Sequence, residues 1–370
     1  MAVSAQDILA SETIQASAPC RIDMGGTLDI SSFYYPLAYL CPCTVNIAVN
    51  LRTTVRLYPY PKGFIKISSR GFESAEYELG RLPFNHSMGL ITALAAYFHL
   101  DGIHIQIDSA SPPRSALGGS SVAAVALIGA YQQLHERLGR EQICLQQIAL
   151  LAHAIEESTA GVPCGLQDQL AAAYGGVNAW HWKGFGCRDL FQRELLNQSN
   201  QYSRLDKSIL LAYCGIPHES KNINGKWVRQ WLSGEYWQQW SEMAGCTKAF
   251  AVALKSLDFE AAVDSMNREV DLRCQLTPEV LNDTGWLLVR AARDHHCGAR
   301  FCGAGGGGCI WAIGEPGAIL ELKDRWQYIL NDTNGSQLFD VEVDWQGLSP
   351  LSAEETASNQ EITNTGGNSR

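Results

Sequence analysis

A loop rich in serine and glycine, between a strand and a helix, is the feature of this sequence that most constrains its fold. Residues 102–110 (GIHIQIDSA) alternate apolar and polar side chains, which predicts a half-buried strand. Residues 122–138 are rich in Ala and Leu and stop at Gly139, which predicts a helix. The loop between them, SPPRSALGGSS at residues 111–121, would direct free N–H groups and the helix dipole at one point that attracts phosphate. Serine there is equally typical of an ordinary helix N-cap.

Three other segments carry unusual patterns. The segment FCGAGGGGCI at residues 301–310, called the glycine hairpin below, lies between apolar stretches and is predicted to join two strands. A tight turn needs only one or two glycines, so four in succession indicate a close approach of the backbone to another group. The remaining two segments are APCRIDMGGTLD at 18–29 and AHAIEESTAGVPCGLQDQ at 152–169.

Together these four segments resemble the motifs of the GHMP kinase superfamily, named for galacto-, homoserine, mevalonate and phosphomevalonate kinases. They are similar to A-P-x-R-[IV] with a glycine turn and T-D, to P-P-x-x-G-L-G-S-S-A, to G-A-G-G-G-G, and to the galactokinase pattern A-E-x-x-x-x-G-V-P-C-G-x-x-D-Q. They occur in the family's order and cover about residues 18–313. Arg114 and Ala116 stand where the family has small residues. Gln167 replaces the galactokinase Met, and G-x-Q-D-Q is more similar to the heptose-phosphate and fucose kinases.

The fold class indicated by both the resemblance and the order of elements is α+β with two domains. The resemblance implies a mixed α/β N-terminal domain, similar to ribosomal S5 domain 2, and we place it at residues 1–200. Residues 201–350 show the order β-α-β-β-α-β, which predicts a ferredoxin-like C-terminal domain. Residues 351–370 are poor in apolar side chains, so we expect a disordered tail. The other main predictions are strands at 45–58, 177–182, 208–214 and 339–345 and helices at 87–100, 142–157 and 318–330.

The resemblance also implies a role for individual residues. Nucleotide binding falls to Pro113, Arg114, Ser115, Ala116, Leu117, Gly118, Gly119, Ser120, Ser121, Gly305 and Gly306. Ser120 and Glu156 would hold Mg²⁺, although Glu156 could instead belong to a solvated helix face shared with Glu157. Asp168 would be the base and Arg21 would stabilise charge; the alternatives are a helix-capping Asp and a structural ion pair. Substrate binding falls to Asp29, Gly26, Tyr174, Gly176 and Ser220.

Composition excludes several other classes of protein. The net charge of −10 and the lack of a basic cluster argue against nucleic-acid binding. No apolar run reaches membrane-spanning length, and the N-terminus lacks the basic start of a signal peptide, so we expect a cytoplasmic protein. The 12 cysteines include no C-x-x-C pair, so we expect buried free thiols, Cys144 and Cys302 among them. Trp227, Trp231, Trp237 and Trp240 could stack on a sugar, but their spacing favours a buried helical stripe.

The function implied by the resemblance is an ATP- and Mg²⁺-dependent kinase that phosphorylates a hydroxyl of a hexose or heptose. A heptose-phosphate-type acceptor is favoured because of Gln167. A kinase of a non-sugar alcohol, such as mevalonate or an amino-acid hydroxyl, is a second hypothesis. A catalytically silent binder on the same fold is a third, because Arg114 and Ala116 make the 111–121 loop bulkier. The expected partners are ATP and a small polyol, with no membrane or nucleic acid, and the oligomeric state, monomer or homodimer, stays open.

Overall fold

The structure is a computed structural model that describes residues 4–99, 101–183, 190–196, 202–217 and 220–350, with the backbone alone at 202 and 220–222. The predicted tail at 351–370 lies outside these residues. The strands of the N-terminal sheet are β1 (Ile14–Met24), β2 (Cys43–Pro59), β3 (Phe64–Ser69), β4 (Ala75–Glu78), β5 (Ile103–Ser109), β6 (Val177–Trp182) and β7 (Phe191–Leu195). The helices of this half are α1 (Ala5–Ser11), α2 (Ser31–Tyr34), α3 (Gly89–Phe98), α4 (Gly119–Arg137), α5 (Leu145–Ala160) and α6 (Gln167–Tyr174).

The long strand β2 organises the N-terminal sheet. One edge of β2 pairs with β1, and the other edge pairs with β6 over residues 43–47 and with β5 over residues 53–59. β3 runs parallel to β5, whereas the other pairs are antiparallel. The β1–β2 register shifts between Pro19 and Cys20. Proline cannot donate to the ladder and tolerates such an irregularity, and a bulge re-aims the strand that follows it. The shift lies directly before Arg21.

Helix α4 forms the centre of the N-terminal core. It packs on β1 and β2 and is flanked by α3, α5 and α6. Residues 121–132 of α4 are buried without interruption, because this helix is covered by the sheet on one side and by helices on the others. A helix buried all round is apolar all round, which explains its Ala- and Leu-rich sequence. β1 is likewise buried along its whole length.

The C-terminal half contains the ferredoxin-like sheet that the element order predicted. Its strands are β8 (Ile209–Tyr213), β9 (Gly298–Phe301), β10 (Cys309–Ile313) and β11 (Gln337–Phe339), in the spatial order β11-β8-β10-β9 and all antiparallel. The helices are α7 (Tyr202–Asp206), α8 (Ser220–Leu232), α9 (Trp237–Ser256), α10 (Phe259–Leu276), α11 (Asp283–Asp294) and α12 (Pro316–Asn331). Numbered along the chain, the strand order is 4-1-3-2, which confirms the predicted fold class.

The last residues that the structure describes, 341–350, leave the C-terminal domain. The strand predicted at 339–345 is wrong, since β11 stops at Phe339 and the chain then crosses to the N-terminal sheet. There Val343 bridges Val49, and β12 (Ser349–Pro350) pairs with β1. Arg52 fastens the crossing by bonding to the Asp344 carboxylate, the Gly347 carbonyl and the Ser349 hydroxyl. Residues 341–350 therefore pack with the N-terminal half, although sequence order places them in the second domain.

Several side-chain predictions are settled by burial. Trp227, Trp231 and Trp240 are buried, as a helical stripe should be, with Trp231 and Trp240 on Phe33 and Trp227 on Trp240. Trp237 is half exposed. Cys302 is a buried free thiol, but Cys144 is exposed, because it precedes the first turn of α5. Among the described residues, none of the helices has the length and apolar character needed to cross a membrane.

The Arg52 clamp gives a test of how the C-terminal segment is held. Arg52→Ala removes bonds from a charged group to three residues of that segment, so the free energy of unfolding should fall by roughly 2–3 kcal/mol. Urea denaturation measures this fall, and hydrogen exchange should rise at residues 343–350. Arg81→Ala, which breaks an exposed ion pair with Glu78, is the control and should change stability by less than about 0.5 kcal/mol. Equal effects of the two variants would contradict the clamp.

Candidate active site

The 111–121 loop enters helix α4 without a side-chain cap. The N-cap is Gly118, with φ 78°, and no side chain bonds to the first N–H groups. Ser120 and Ser121 lie in the first turn of the helix, which begins three residues before the predicted start at Val122. The ordinary serine N-cap is therefore the wrong interpretation of this loop. The first N–H groups of a long helix are instead available to an anion.

The backbone of the loop is unusual for the residues it contains. Arg114 has φ 56°, Ala116 has φ 64° and Gly118 has φ 78°, so every second residue is left-handed. Only glycine adopts this conformation without cost, and a side chain there costs about 1 kcal/mol or more. Backbones with left-handed residues turn neighbouring N–H groups toward one side and create anion-binding concavities. The left-handed positions Arg114 and Ala116 therefore give the loop a backbone of the kind that forms such concavities.

The glycine hairpin packs directly against this loop. The Cys309 N–H donates to the Ser115 carbonyl at 2.9 Å, and a Cβ on Gly308 would lie 2.6 Å from that carbonyl oxygen. Position 308 requires glycine because the backbone of the hairpin there touches the backbone of the 111–121 loop and leaves no room for a side chain. A Cβ on Gly305 or Gly306 would meet Val280 or Ile223, and neither of these two predicted nucleotide contacts is among the residues that line the cleft. Gly303 and Ala304, which the sequence analysis did not select, line it.

Arg21 and Asp168 meet at the centre of the cleft. The Arg21 Nε donates to Asp168 Oδ1 at 2.7 Å, and its Nη2 donates to Oδ2 at 3.0 Å. Arg21 comes from β1, and Asp168 lies in the first turn of α6, whose N-cap is Leu166, so Asp168 is not a capping residue. Burial opposes the Arg21 charge, but the carboxylates of Asp168 and Asp23 outweigh it and raise the Arg21 pKa. The guanidinium stays charged and holds the Asp168 carboxylate in one orientation.

Asp23, which the sequence analysis did not select, connects this pair to the second domain. It is buried; its carboxylate accepts from the Gly303 N–H at 2.7 Å and pairs with Arg21 at 3.4 Å and with Arg300 at 3.1 Å. Arg300 in turn pairs with Glu269, also fully buried, at 2.9 Å. The position of Arg21 therefore depends on charges from β9 and α10. Because Asp23 and Arg300 are far apart in the sequence, no local sequence pattern could predict that they pair.

A half-buried carboxylate, Glu156, faces the start of α4. It accepts bonds from the Ser120 hydroxyl at 2.5 Å, from the Ser121 hydroxyl at 2.6 Å and from the Gln169 amide at 2.7 Å. Burial raises the pKa of Glu156, against the opposing effect of the two serine bonds. The solvated helix face considered for Glu156 is thus wrong. A carboxylate with two hydroxyls is a set of hard oxygen donors, the type that Mg²⁺ prefers, so these residues fit that ion.

A second buried carboxylate, Asp29, lies near Asp168. It accepts the backbone N–H groups of Thr27 and Gln167, each at 3.0 Å. Burial raises the pKa of Asp29 to about 6. Gln167, at the start of α6, also accepts a bond from the buried Asn46 amide at 3.0 Å. Asp29, Gln167 and Asp168 form one wall of a cleft of about 440 Å³.

The opposite side of the same cleft is less polar. Its residues come from the ends of β3 and β5 and from α3, and they include Phe72, Met88, Leu90 and Ile91. The 111–121 loop runs between the two sides and contributes residues 111–116 and 118–121 to the lining. Pro113 and Arg114 are exposed there, whereas Leu117 is buried and does not line the cleft; its carbonyl accepts the Arg21 N–H. The cleft is thus lined by apolar side chains, by the N-terminal start of α4 and by carboxylates.

Four of the predicted substrate contacts are not among the cleft residues that the structure describes. Tyr174 is the last residue of α6, at the end opposite Asp168, where it packs under Arg193, and Gly176 follows beside Trp345. Gly26 lies behind Gln167 and uses its carbonyl to bind Arg273. The side chain of Ser220 is outside the described residues. Asp29 alone of the five lines the cleft.

Comparisons with known proteins agree with this geometry. Residues 85–176, which contain the 111–121 loop, Glu156 and Asp168, match the family model of the GHMP kinases N terminal domain. The chain therefore contains a GHMP kinase N-terminal domain at these residues. Its sequence is 26% identical over 331 residues to mevalonate kinase of Pyrococcus horikoshii, covering 84% of this chain and 90% of the relative.

Two further GHMP kinases cover most of the chain. A D-glycero-alpha-D-manno-heptose 7-phosphate kinase of Campylobacter jejuni is 26% identical over 323 residues, covering 82% of this chain and 90% of the relative. The crystal structure of Lactococcus lactis galactokinase complexed with galactose superposes with a TM-score of 0.69 at 16% identity, covering 92% of this chain and 95% of that one. The two-domain GHMP kinase fold is thereby confirmed over nearly the whole described chain.

The raised pKa of Asp29 predicts a pH dependence of stability. The native state keeps the Asp29 proton up to about pH 6, whereas an unfolded Asp loses it near pH 4. The stabilising contribution of this proton is complete below about pH 4 and is lost as the pH rises through 6, by roughly 2–3 kcal/mol. Urea denaturation should therefore show that the free energy of unfolding falls between pH 4 and pH 8, and that this fall is smaller in Asp29→Asn. A parallel pair of curves would contradict the buried-carboxyl interpretation, and Asp283→Asn, an exposed residue, is the control.

Proposed function

We propose that this GHMP kinase transfers the γ-phosphoryl group of ATP to a hydroxyl of a sugar. The Asp168 carboxylate, fixed by the Arg21 fork between the anion-binding start of α4 and the acidic wall at Asp29, is the observation that carries the proposal. Phosphoryl transfer needs in-line positioning and charge stabilisation more than covalent chemistry. The cleft supplies the three parts in the required order: a donor-phosphate site, a charged centre and a site for hydroxyls.

The proton of the acceptor hydroxyl would pass to Asp168. A hydroxyl is a poor nucleophile at neutral pH, so the enzyme must orient it and receive its proton. Both Asp168 oxygens bond to Arg21, which keeps the carboxylate facing the cleft. The same guanidinium lies beside the 111–121 loop, where its Nη1 donates to the Ala116 carbonyl at 2.7 Å. Arg21 is therefore placed to stabilise negative charge on the transferred group.

The donor phosphates would lie against the N–H groups at the start of α4. Ser120, Ser121 and Glu156 would hold Mg²⁺ there through their oxygens. When bound, the ion neutralises phosphate charge that the helix terminus only partly offsets. Arg114, exposed at the edge of the cleft, supplies further positive charge to the phosphates. The apolar side with Phe72 and Met88 suits the nucleotide base.

The acceptor site favours hydroxyls over a carboxylate. Asp29 and Asp168 place two carboxylates on this wall, and Arg21 directs its fork at Asp168. A substrate carboxylate close to these groups would be repelled, whereas hydroxyls donate well to carboxylates. This argument favours a sugar over mevalonate, although the Pyrococcus mevalonate kinase covers most of the chain. The G-x-Q-D-Q sequence keeps a heptose phosphate as the first candidate, with galactose and fucose next.

A coupled assay of ADP release tests the proposal. The panel is D-glycero-D-manno-heptose 7-phosphate, galactose, fucose, glucuronate, mevalonate and homoserine, each with MgATP. We expect turnover with a sugar that carries no carboxylate. Turnover of mevalonate or homoserine alone would contradict the sugar assignment, and ATP binding without turnover of any acceptor would support a silent binder instead.

The role of Asp168 predicts a loss of rate without a loss of nucleotide binding. Asp168→Asn keeps the shape of the side chain but cannot take a proton, so kcat should fall by roughly 10²–10⁴-fold. ATP affinity, measured by calorimetry, should change little because Asp168 lies on the acceptor side. Asp283→Asn, in the first turn of α11, is the matched control. Near-wild-type kcat in folded Asp168→Asn would rule out the base.

A shared metal site predicts strong non-additivity. Ser120→Ala and Glu156→Gln should each lower turnover sharply, and the double variant should be little worse than the more damaged single variant. When Mg²⁺ is titrated at fixed ATP, each single variant should need a higher Mg²⁺ concentration for half-maximal turnover. Glu157→Gln changes the adjacent carboxylate and is the control. Fully additive losses, with unchanged Mg²⁺ dependence, would show that the two residues act separately.

A further inference from the structure

The turn between β1 and α2 has a threonine at a position where glycine is normally required. The Leu28 N–H donates to the Gly25 carbonyl at 3.2 Å, so residues 25–28 form a β-turn. The third residue of this turn, Thr27, has φ 84°, which is the conformation that a type II turn demands there and that normally selects glycine. A β-branched residue with positive φ is a genuine outlier. Such a conformation persists only where the surrounding structure imposes it.

A buried guanidinium from the second domain binds this turn. Arg273 of α10 donates through Nη2 to the Gly26 carbonyl at 2.6 Å and through Nη1 to the Thr27 hydroxyl at 3.3 Å. Its Nε donates to Glu269 at 2.8 Å. Two tryptophan rings, from α8 and α9, lie 4.6 and 4.8 Å from the guanidinium. A planar group that is bonded at all three nitrogens has one orientation, so Arg273 can hold the turn in its strained form.

The strained residue in turn fixes Asp29. The Thr27 N–H donates to Asp29 Oδ1 at 3.0 Å, and the Thr27 carbonyl accepts the Ile30 N–H at 3.0 Å. Thr27, Asp29 and Ile30 are all among the residues that line the cleft, whereas Arg273 is not. Any effect of Arg273 on a molecule bound beside Asp29 must therefore pass through the turn.

Joining the two domains does not by itself explain the threonine. A glycine at position 27 would leave the Gly26 carbonyl free to accept the Arg273 bond, and it would adopt φ 84° without strain. With glycine the turn would keep its shape without Arg273, whereas with threonine that shape depends on Arg273. The threonine therefore makes the position of Asp29 depend on a residue of the second domain.

We propose that Arg273 is a positioning residue of the acceptor site, which holds the 25–28 turn in its strained form and thereby fixes the Asp29 carboxylate in the cleft wall. This inference rests on the proposed sugar kinase function, in which Asp29 belongs to the wall that faces the acceptor. It adds that the affinity for the acceptor depends on Arg273, while the nucleotide site at the start of α4 does not.

The first test replaces Arg273 by Lys. Lysine keeps the positive charge but cannot bond to the Gly26 carbonyl and the Thr27 hydroxyl with one planar fork. The turn should relax, so KM for the sugar that the wild type turns over should rise roughly tenfold, with little change in KM for MgATP. Adding Thr27→Gly should return the sugar KM most of the way to the wild-type value, because glycine needs no restraint at φ 84°. Arg268→Lys, in an exposed ion pair on the same helix, is the control and should change neither KM.

A measurement without substrate tests the same step. The Thr27 N–H bond favours the ionised form of Asp29, so its loss in Arg273→Lys should raise the pKa of Asp29 further above its present value of about 6. The fall of the free energy of unfolding with pH should then move to higher pH in Arg273→Lys and should move back in Arg273→Lys/Thr27→Gly. Urea denaturation between pH 4 and pH 8 measures both shifts.

Two single variants of Thr27 keep the test decisive if Arg273→Lys does not fold. Thr27→Val and Thr27→Gly both remove the hydroxyl, but only valine retains the strain of the left-handed conformation. Thr27→Val should therefore raise the sugar KM and lower the melting temperature more than Thr27→Gly does. Equal rises of the sugar KM would show that the lost hydroxyl, and not the shape of the turn, binds the sugar, and would overturn the positioning role.

The outcomes separate this inference from the proposed function. A sugar KM that rises in Arg273→Lys and is restored by Thr27→Gly supports both. An unchanged sugar KM in folded Arg273→Lys, or a rise that Thr27→Gly does not restore, overturns the role of Arg273 and leaves the sugar kinase intact. If the wild type turns over no sugar of the panel, the sugar kinase proposal fails. The pH dependence of stability then decides whether Arg273 fixes Asp29, and curves that do not shift would overturn it.

Discussion

A buried set of alternating charges, centred on Asp23, determines where Arg21 and its partner Asp168, the proposed catalytic groups, lie. Asp23 lies between Arg21 and Arg300, and Arg300 and Arg273 share Glu269. Each carboxylate is enclosed by guanidinium groups and each guanidinium is bonded, so the cost of removing them from water is offset only while the whole set is complete. Asp23 and Arg21 come from the first domain, whereas Glu269, Arg273 and Arg300 come from the second. The ion pairs that join the two domains therefore also fix the orientation of Arg21.

Close backbone packing supports the same junction. The glycine hairpin fits against the 111–121 loop because Gly308 has no side chain where the Ser115 carbonyl comes within contact distance. The Gly303 N–H bonds to Asp23, so the hairpin is fixed by the charge set as well. Strain at Arg114 and Ala116 is thus maintained by contacts from another domain. Such strain persists only where the surroundings determine the local conformation.

The active cleft also contains charges that reduce stability. Asp29 and Glu156 both have pKa values raised by burial, which means that each ionised carboxylate is less stable there than in water. These two groups flank Asp168, one on the acceptor wall and one at the start of α4. Keeping these two carboxylates ionised in the cleft therefore lowers the free energy of unfolding, and packing in the surrounding core must offset this loss. This is typical of sites in which charge is prepared for a ligand.

The sequence by itself was sufficient to predict most of the helices and strands, and to select the residues of the candidate site that lie in short motifs. Period-two and helical patterns predicted β5, β6 and α4, and the resemblance identified Arg21, Ser120, Glu156 and Asp168, since each lies in a short continuous motif. Local backbone preference and nearby residues determine such features, so they can be inferred without a fold. The predicted strand at 339–345 was wrong for the same reason: its residues suit a strand, but the Arg52 clamp draws them to the first domain.

Only the tertiary structure decided which residues face the cleft. Gly305 and Gly306 belong to the expected motif, yet Gly303 and Ala304 line the cleft, because the direction of each residue depends on how the hairpin packs. Tyr174 lies in the same helix as Asp168 but at its other end. Asp23, Asn46 and Gln167 are held by partners more than a hundred residues away. Burial and pairing across such distances arise from the packing of the whole chain, so they leave no local pattern.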